Sequence, residues 1–304
     1  MAEMTHDKIK HESKEMAVGP WQLAWGRFKK NKVAIAGAIL FIIIVLFVTI
    51  YPLVSPYQMS EFSLDNKSLS PSSEHLLGTD EQGRDVLLRI ALGGRVSILV
   101  GLLAASVTVI LGSVVGGISG YYGGWVDNFL MRFAEIVYSI PFYPTVISIS
   151  AALMFRSTST NKILIVMFLI GILSWPGLAR IVRGQILSLR EQEFMLATEA
   201  LGLSDASRII RHLIPNVLPY IIVNATLSMA GAILTEASLS FIGLGVAPPT
   251  PTWGNMVERA RNTRVFNSYH WMWIPPGMMI MLTVVSINLL GEGLRDALDP
   301  KGSR

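Results

Sequence analysis

The sequence has no cysteine among its 304 residues, and charged residues make up only 15% of it. Without cysteine, the chain forms no disulfide, thiolate-bound zinc or iron–sulfur site, and it has no cysteine nucleophile. Soluble proteins carry about 25% charged residues, so this chain has too few to cover a water-facing surface of its size. Hydrophobic residues make up 51% of the sequence. The composition predicts a protein that crosses a membrane several times.

Sequence motifs for catalysis are also missing. No Gly-Lys dipeptide occurs, so the sequence has no phosphate-binding loop of the kind that ATPases use. It has no Gly-x-Ser-x-Gly nucleophile motif, and its five histidines are scattered without metal-ligand spacing. The net charge of +4 is too small to indicate nucleic-acid binding. We therefore predict a chain that is not an enzyme and that itself binds no metal, cofactor or nucleic acid.

Long uncharged runs are typical of transmembrane helices. The first of them, 33–54, is long enough to cross about 30 Å of hydrocarbon. It is longer than the apolar core of a cleaved signal peptide and begins later in the chain. The prolines in the uncharged run 237–257 predict a loop that does not span but could re-enter the membrane against protein. Six spans are predicted for an all-α membrane protein: 33–53, 96–120, 129–154, 162–180, 216–240 and 274–292.

Basic residues orient the predicted bundle through the positive-inside rule. The run RFKKNK directly precedes the first span, so both termini are predicted to be cytoplasmic. The predicted divisions are a cytoplasmic segment 1–32, a first transmembrane helix 33–54, an extracytoplasmic segment 55–94 and a core 95–301. In the extracytoplasmic segment, Thr79-Asp80-Glu81-Gln82 fits a capping box, which predicts a short amphipathic helix after it.

Three glycines in the second span recur at spacings of four, at Gly112, Gly116 and Gly120. This spacing places them on one helix face, where glycine allows another backbone to approach closely. The partner helix could belong to the same chain or to another subunit, and the pattern favours the same chain.

Few side chains suggest a substrate pathway. Glu236 lies in a long apolar context, where an ionisable residue is a candidate functional group. A carboxylate that reaches interfacial water from a helix end is the favoured alternative. Tyr138 could line a pathway, although aromatic residues on such helices usually pack or anchor at the interface. Glu135 is predicted to pair with Arg132, and prolines such as Pro141 predict kinks.

The segment 190–216 is the most informative stretch between spans. Phe194, Ala197, Ala200 and Leu201 recur at helical spacing, and Gly202 is predicted to end that helix. A second short helix, capped by Ser204 or Asp205, is predicted to end at Pro215. Small residues beside the glycine favour a protein contact, whereas amphipathic spacing also suits a helix on the lipid surface. Periodicity alone gives the two interpretations equal weight.

The residues of this loop resemble a known family. The stretch ATEALGLSDASRIIRHLIPN is similar to the "EAA" loop of binding-protein-dependent ABC transporter permeases. HLLGTDEQGRDVLLR, LSFIGLGVAPPTPTWGNM and LLGEGLRDALDPK resemble segments of the C-type permease of oligopeptide, dipeptide and nickel importers, and the start WQLAWGRFKKNKVAIAG fits the same group. The chain departs from the family pattern at Leu196, where an acidic residue is usual, and at Thr198, where alanine is usual.

The resemblance implies a type I ABC importer transmembrane fold in the cytoplasmic membrane of a prokaryote. It also implies a homologous B-type permease as heterodimer partner, two ABC ATPase subunits that bind ATP and magnesium, and an extracytoplasmic substrate-binding protein. Oligopeptides or dipeptides are the expected substrates, and nickel complexes or another small solute are the alternative. The residues expected to couple this loop to an ATPase are Ala197, Thr198, Gly202, Asp205, Arg208, Arg211, His212 and Pro215.

Two other classes of protein fit the hydropathy pattern. An ATP-independent secondary transporter would be expected to have paired intramembrane carboxylates and an internal repeat, and the sequence shows neither. A membrane scaffold without transport activity would also tolerate the long loop. Association with an ATPase distinguishes both from an ABC permease.

Overall fold

A computed structural model describes residues 20–59, 63, 65–154, 159–246 and 249–298. Within these ranges the chain is helical, with an isolated antiparallel bridge between Thr79 and Asp85. The predicted segment 1–32 and the end of the core at 301 extend beyond these ranges. The α-helices are α1 Pro20–Phe28, α2 Lys32–Val54, α3 Val86–Tyr122, α4 Gly124–Ser139, α5 Phe142–Met154, α6 Ser159–Arg190, α7 Glu193–Ala200, α8 Asp205–Arg208, α9 Ile214–Phe241, α10 Trp253–Val257, α11 Thr263–Ser268 and α12 Ile274–Leu298.

Five helical stretches in the described part are long and apolar enough to cross a membrane. They are Lys32–Val54, Val86–Tyr122, Ile163–Arg190, Asp205–Phe241 and His270–Leu298. The prediction of an all-helical, multi-span protein is therefore confirmed. Each stretch overlaps a predicted span, and several extend well beyond it.

The predicted third span, 129–154, is not one helix. It is divided between α4 and α5, which are separated by Ile140 and Pro141. Ile140 is extended, with φ −70° and ψ 126°, because proline disfavours the α conformation in the residue before it. The apolar second half of this predicted span, Phe142–Ala152, is shorter than the five span-length stretches. The prediction of a single helix here was wrong.

The helices α3 and α6 pack along each other through the three spaced glycines. Gly112 lies against the Leu178 side chain, and a Cβ added there would come 2.8 Å from the Leu178 Cβ. Gly116 meets the backbone of Ala179, and Gly120 meets the Arg183 carbonyl. The stripe therefore lies against a helix of the same chain, as the sequence favoured.

An arginine joins α2 to α3. Pro52 lies inside α2 and lacks the N–H that would bond to the Val48 carbonyl. Arg95 of α3 supplies the missing donor, with Nε 2.7 Å from the Val48 oxygen and Nη2 2.6 Å from the Thr49 oxygen. The contact satisfies a polar backbone group that hydrocarbon cannot satisfy.

Replacement of Arg95 by methionine is expected to destabilise the protein by about 2 kcal/mol, because a hydrogen bond from a charged group contributes roughly 1.5–3 kcal/mol. Thermal unfolding of the purified protein in detergent measures the loss. Arg132→Gln is the matched control: Arg132 pairs with Glu135 at 2.9 Å, but its side chain is 82% exposed, so a loss of about 0–1 kcal/mol is expected. Equal losses in the two variants would contradict this role for Arg95.

The segment before α3 differs from its prediction. Asp85, and not Thr79, caps the helix: its Oδ1 accepts from the Leu88 N–H at 2.7 Å. The Thr79 hydroxyl accepts instead from the Leu69 N–H at 2.8 Å, and Gln82 lies in a turn. The prediction of a capping box at Thr79 was therefore wrong, because the Thr79 side chain bonds to the preceding loop instead. The helix that follows is no separate element but the first turns of α3.

The uncharged run after Phe241 does not span, as predicted, and its short helix α10 packs back onto α3. Trp253 is fully buried. Its Nε1 donates to the Ile90 carbonyl at 2.9 Å, and its backbone N–H donates to the Ser97 hydroxyl at 3.1 Å. Residues 247 and 248 lie outside the described ranges. The tryptophan fixes the position of this segment against the N-terminal half of α3.

The two ends of the described bundle meet. Asn31 caps α2 by accepting from the Ala34 N–H at 3.1 Å. Its Nδ2 also lies 3.5 Å from Asp296 Oδ2 near the end of α12. Gly293 packs directly against Ala34. The start of the first long helix therefore lies beside the end of the last one.

Candidate functional site

The loop between α6 and α9 begins with the short helix α7, which ends in a Schellman motif. The Leu203 N–H donates to the Thr198 carbonyl at 3.1 Å, and the Gly202 N–H donates to the Glu199 carbonyl at 2.9 Å. Gly202 has φ +69°, a conformation that glycine adopts without strain. The predicted helix end at this glycine is confirmed.

The second half of the loop continues into the membrane helix. The Ser204 hydroxyl caps α8 by accepting from the Ser207 N–H. A π-helical turn, Ile209–Leu213, then joins α8 to α9. Pro215 lies in the first turn of α9, where the missing N–H costs little. The predicted helix end at Pro215 was therefore wrong, because the proline starts a helix there.

The inner face of the loop is anchored in the bundle. Met195 and Leu213 are fully buried and pack with Ile186 and Val217. Thr198 is also buried, and its hydroxyl donates to the Met195 carbonyl at 2.7 Å. Thr198 therefore faces the core of this chain, and its contact with an ATPase stays a prediction.

The outer face of the loop carries large exposed apolar side chains. Leu201 is 79% exposed and Leu196 is 59% exposed. Ala197, which follows Leu196, and Gly202, which follows Leu201, are both exposed, and a Cβ added at Gly202 would meet nothing within 4 Å. A rigid loop with an unpartnered leucine pair beside small residues suits contact with another protein.

The charged residues of the loop mostly bond within the chain. Asp205 accepts from the Tyr121 hydroxyl at 2.6 Å. Arg208 pairs with Glu199 at 2.8 Å, and its side chain is only 13% exposed. Arg211 is exposed. Binding of an ATPase by any of these side chains stays a prediction.

His212 and Pro215 complete the predicted set of loop residues. His212 is partly buried, and its carbonyl accepts from Asn216 Nδ2 at 2.6 Å. Pro215 is exposed in the first turn of α9. Both lie where the loop joins the membrane helix, away from the leucine pair in sequence.

An ion pair supports the helix ends beside this loop. Arg183 of α6 binds Asp127 of α4 through two contacts of 2.5 Å, and the Ser119 hydroxyl also donates to that carboxylate. The Arg183 guanidinium, assisted by Ser119, holds the pKa of the Asp127 carboxyl below its usual range, despite its partial burial. The carboxylate is therefore charged at neutral pH and ties α3, α4 and α6 together.

The pathway candidates lie away from this loop. Glu236 is fully buried in α9, where its Oε1 accepts from the Ser240 hydroxyl at 2.6 Å. The favoured interpretation of Glu236 as a carboxylate in interfacial water was wrong, because no part of it is exposed. Tyr138 is 64% exposed, and the Arg180 guanidinium lies 4.2 Å from its ring centroid. The structure does not bring Glu236 and Tyr138 into one site.

Sequence reasoning missed the leucine pair and Tyr121. In the sequence, Leu196 stands out only as a departure from a family pattern, and Leu201 only as a member of a helical repeat. The signal that could have identified them is the position of two large apolar residues on either side of small ones in a polar loop. Tyr121 gave no local signal, because its partner is remote in sequence.

Comparison with known proteins identifies the family. Residues 98–304 match the family described as "Binding-protein-dependent transport system inner membrane component". The chain belongs to this family. Residues 19–71 also match the "N-terminal TM domain of oligopeptide transport permease C". The permease is therefore a multi-pass protein of the cytoplasmic membrane, a transport subunit of an ABC importer and not a catalytic enzyme.

Relatives of the permease extend over nearly its whole length. A dipeptide transport system permease protein of Alkalihalophilus pseudofirmus is 40% identical over 95% of this chain and 93% of its own. An oligopeptide transport system permease protein of Haemophilus influenzae is 41% identical over 92% of this chain and 88% of its own. A putative peptide permease protein of Brucella suis is 38% identical over 94% of this chain and 92% of its own. The resemblance to C-type permeases is thus confirmed.

Proposed function

We propose that the permease imports peptides in an ATP-driven reaction and that the loop 190–216 couples it to a separate ATPase subunit. The exposed leucine pair on a loop anchored by Met195 and Leu213 carries this proposal. An apolar surface held on a rigid base transmits force from a docked partner without being deformed. The chain has no phosphate-binding loop of its own, so ATP and magnesium would be bound by the partner.

Peptides are the substrate class that the relatives support. The proteins at about 40% identity are named for dipeptide and oligopeptide transport. In the proposed assembly, the permease pairs with a homologous B-type permease, two ATPase subunits and an extracytoplasmic binding protein that delivers the peptide.

We further propose six membrane crossings with both ends of the bundle on the cytoplasmic side. The contact between Asn31 and Asp296 supports this topology, because it places the start of the first span and the end of the last one on one side. This arrangement favours an even number of crossings. The five span-length stretches supply five, and the broken pair α4 and α5 would supply the sixth. The basic residues before α2 assign that side to the cytoplasm.

Reconstitution tests the proposed function. The permease, its B-type partner and the ATPases are assembled in proteoliposomes with the binding protein, and uptake of labelled dipeptides, oligopeptides and nickel complexes is measured. We expect peptide uptake that requires ATP hydrolysis. Uptake that persists without hydrolysis would contradict coupling, and uptake of nickel complexes alone would contradict the substrate class.

A further inference from the structure

One helix contacts both the proposed coupling loop and the segment at the opposite end of the bundle. The helix α3 runs unbroken for 37 residues, from Val86 to Tyr122, and contains no proline. Its contacts lie at Ile90 near one end and Tyr121 near the other. At 1.5 Å per residue these positions are about 46 Å apart, so α3 extends through the full thickness of the membrane.

At the loop end, Tyr121 holds the coupling loop. Its ring is buried among residues that also pack against Met195 and Leu213. Its hydroxyl donates to Asp205 Oδ1 at 2.6 Å, and its own carbonyl accepts from Arg190 at 2.8 Å. The side chain therefore contacts the loop with a directional, charge-assisted hydrogen bond, a stronger type than one between neutral groups.

The position of Asp205 makes this bond consequential. Asp205 begins the four-residue helix α8, which lies between the left-handed Gly202 and the π-helical turn Ile209–Leu213. Both neighbours depart from regular α-helix geometry, and such departures often mark places where a helix bends. The hydrogen bond from Tyr121 thus ties to α3 a short element that is flanked by two irregular turns.

At the other end, α3 is bonded to α10. The Ile90 carbonyl and the Ser97 hydroxyl both accept hydrogen bonds from Trp253. A Cβ added at Gly93 would come 3.2 Å from the backbone of Thr252. The helix and the Trp253 segment therefore cannot slide past each other without breaking these contacts.

We infer that Tyr121 is a positioning residue that links movement of the coupling loop to α3, which carries the movement to the Trp253 segment on the opposite side of the membrane. This inference rests on the proposed coupling function of loop 190–216. Without the Tyr121 hydroxyl, α8 loses its directional bond to α3, and loop movement reaches α3 only through the packed apolar side chains. The variant therefore loses the coupling between ATP hydrolysis and peptide import, while the docking surface at Leu196 and Leu201 stays intact.

The test uses the reconstituted complex and the variants Tyr121→Phe, which removes the hydroxyl donor, and Asp205→Ala, which removes the carboxylate acceptor. Tyr122→Phe is the matched control, because the adjacent Tyr122 is 56% exposed. Peptide imported per ATP hydrolysed is measured. Each single variant is expected to lower this ratio about tenfold. The control should leave the ratio unchanged. The double variant should lower the ratio no further than either single variant does, because both substitutions remove the same hydrogen bond.

A spectroscopic reading separates coupling from a general loss of structure. Since the permease has no cysteine, a single cysteine at the 48% exposed Phe266 of α11 can carry a fluorescent probe near the Trp253 segment. ATP should change its emission in the unmodified complex but not in Tyr121→Phe. If import and hydrolysis fall together, or if the ratio and the emission change are both normal, the inference is overturned. An unmodified permease that binds no ATPase would instead contradict the proposed function.

Discussion

Replacement of Leu201 by glutamate is expected to abolish ATP-driven peptide uptake and to leave the permease folded. Leu201 is 79% exposed and contributes almost no buried surface to this chain, so the charge costs little in folding. At a protein interface the same charge would be desolvated without a partner, which costs several kcal/mol. ATPase retained by the purified permease and uptake by proteoliposomes measure the effect.

A methionine at the same position is the matched control for this experiment. Leu201→Met keeps an apolar side chain of similar volume, so it should retain both the ATPase and uptake within about twofold. The unfolding temperature should be the same in all three proteins. A glutamate variant that retains its ATPase and transports normally would show that the leucine pair is not the docking surface.

Substitution of alanine for Gly116 is expected to destabilise the permease by up to about 2 kcal/mol, the overpacking cost less the gain in helix propensity, whereas the same change at Gly117 should be neutral or stabilising. A Cβ at position 116 would collide with the carbonyl of Ala179, a backbone atom that cannot move aside. At position 117 it would meet only the end of the Ile186 side chain, at 3.9 Å. Overpacking costs about 1–3 kcal/mol.

The two glycines make a sharp comparison because they differ only in what faces them. Each alanine gains helix propensity of about 1 kcal/mol relative to glycine, so propensity cannot explain opposite signs. Unfolding temperature and yield of purified protein are the measurements. If Gly116→Ala were as stable as Gly117→Ala, α3 and α6 would not pack as closely in the membrane as described.

Patterns that depend on neighbouring residues were predicted well from the sequence. Hydropathy located the long helices, a spacing of four placed Gly112, Gly116 and Gly120 on a packed face, and Gly202 marked the end of α7. Each of these features is determined by residues within a few turns of helix. The same locality explains the i,i+3 pair of Arg132 with Glu135, which the structure contains at 2.9 Å.

Features that depend on remote partners were missed or misassigned. Thr79 has the right neighbours for a helix cap, but its hydroxyl bonds to Leu69 across a loop. Glu236 is near a helix end in sequence, yet the Trp253 segment folds over the end of α9 and the side chain is buried. The bond between Tyr121 and Asp205 joins residues whose separation carries no periodic signal. Local sequence does not specify any of these contacts, because packing of whole helices brings the partners together.

The meeting of α2 and α12 has a consequence for biosynthesis. The N-terminal half of α2 packs on α12, with Gly37 against Leu289 and Ala34 against Gly293. The partners on α12 are synthesised after all the other described spans, so that half of α2 must remain in lipid until α12 is inserted. Assembly of helices after insertion is the general route for such bundles. Here α12 completes the packing of α2, and truncation before α12 would leave that face of α2 without its partner helix.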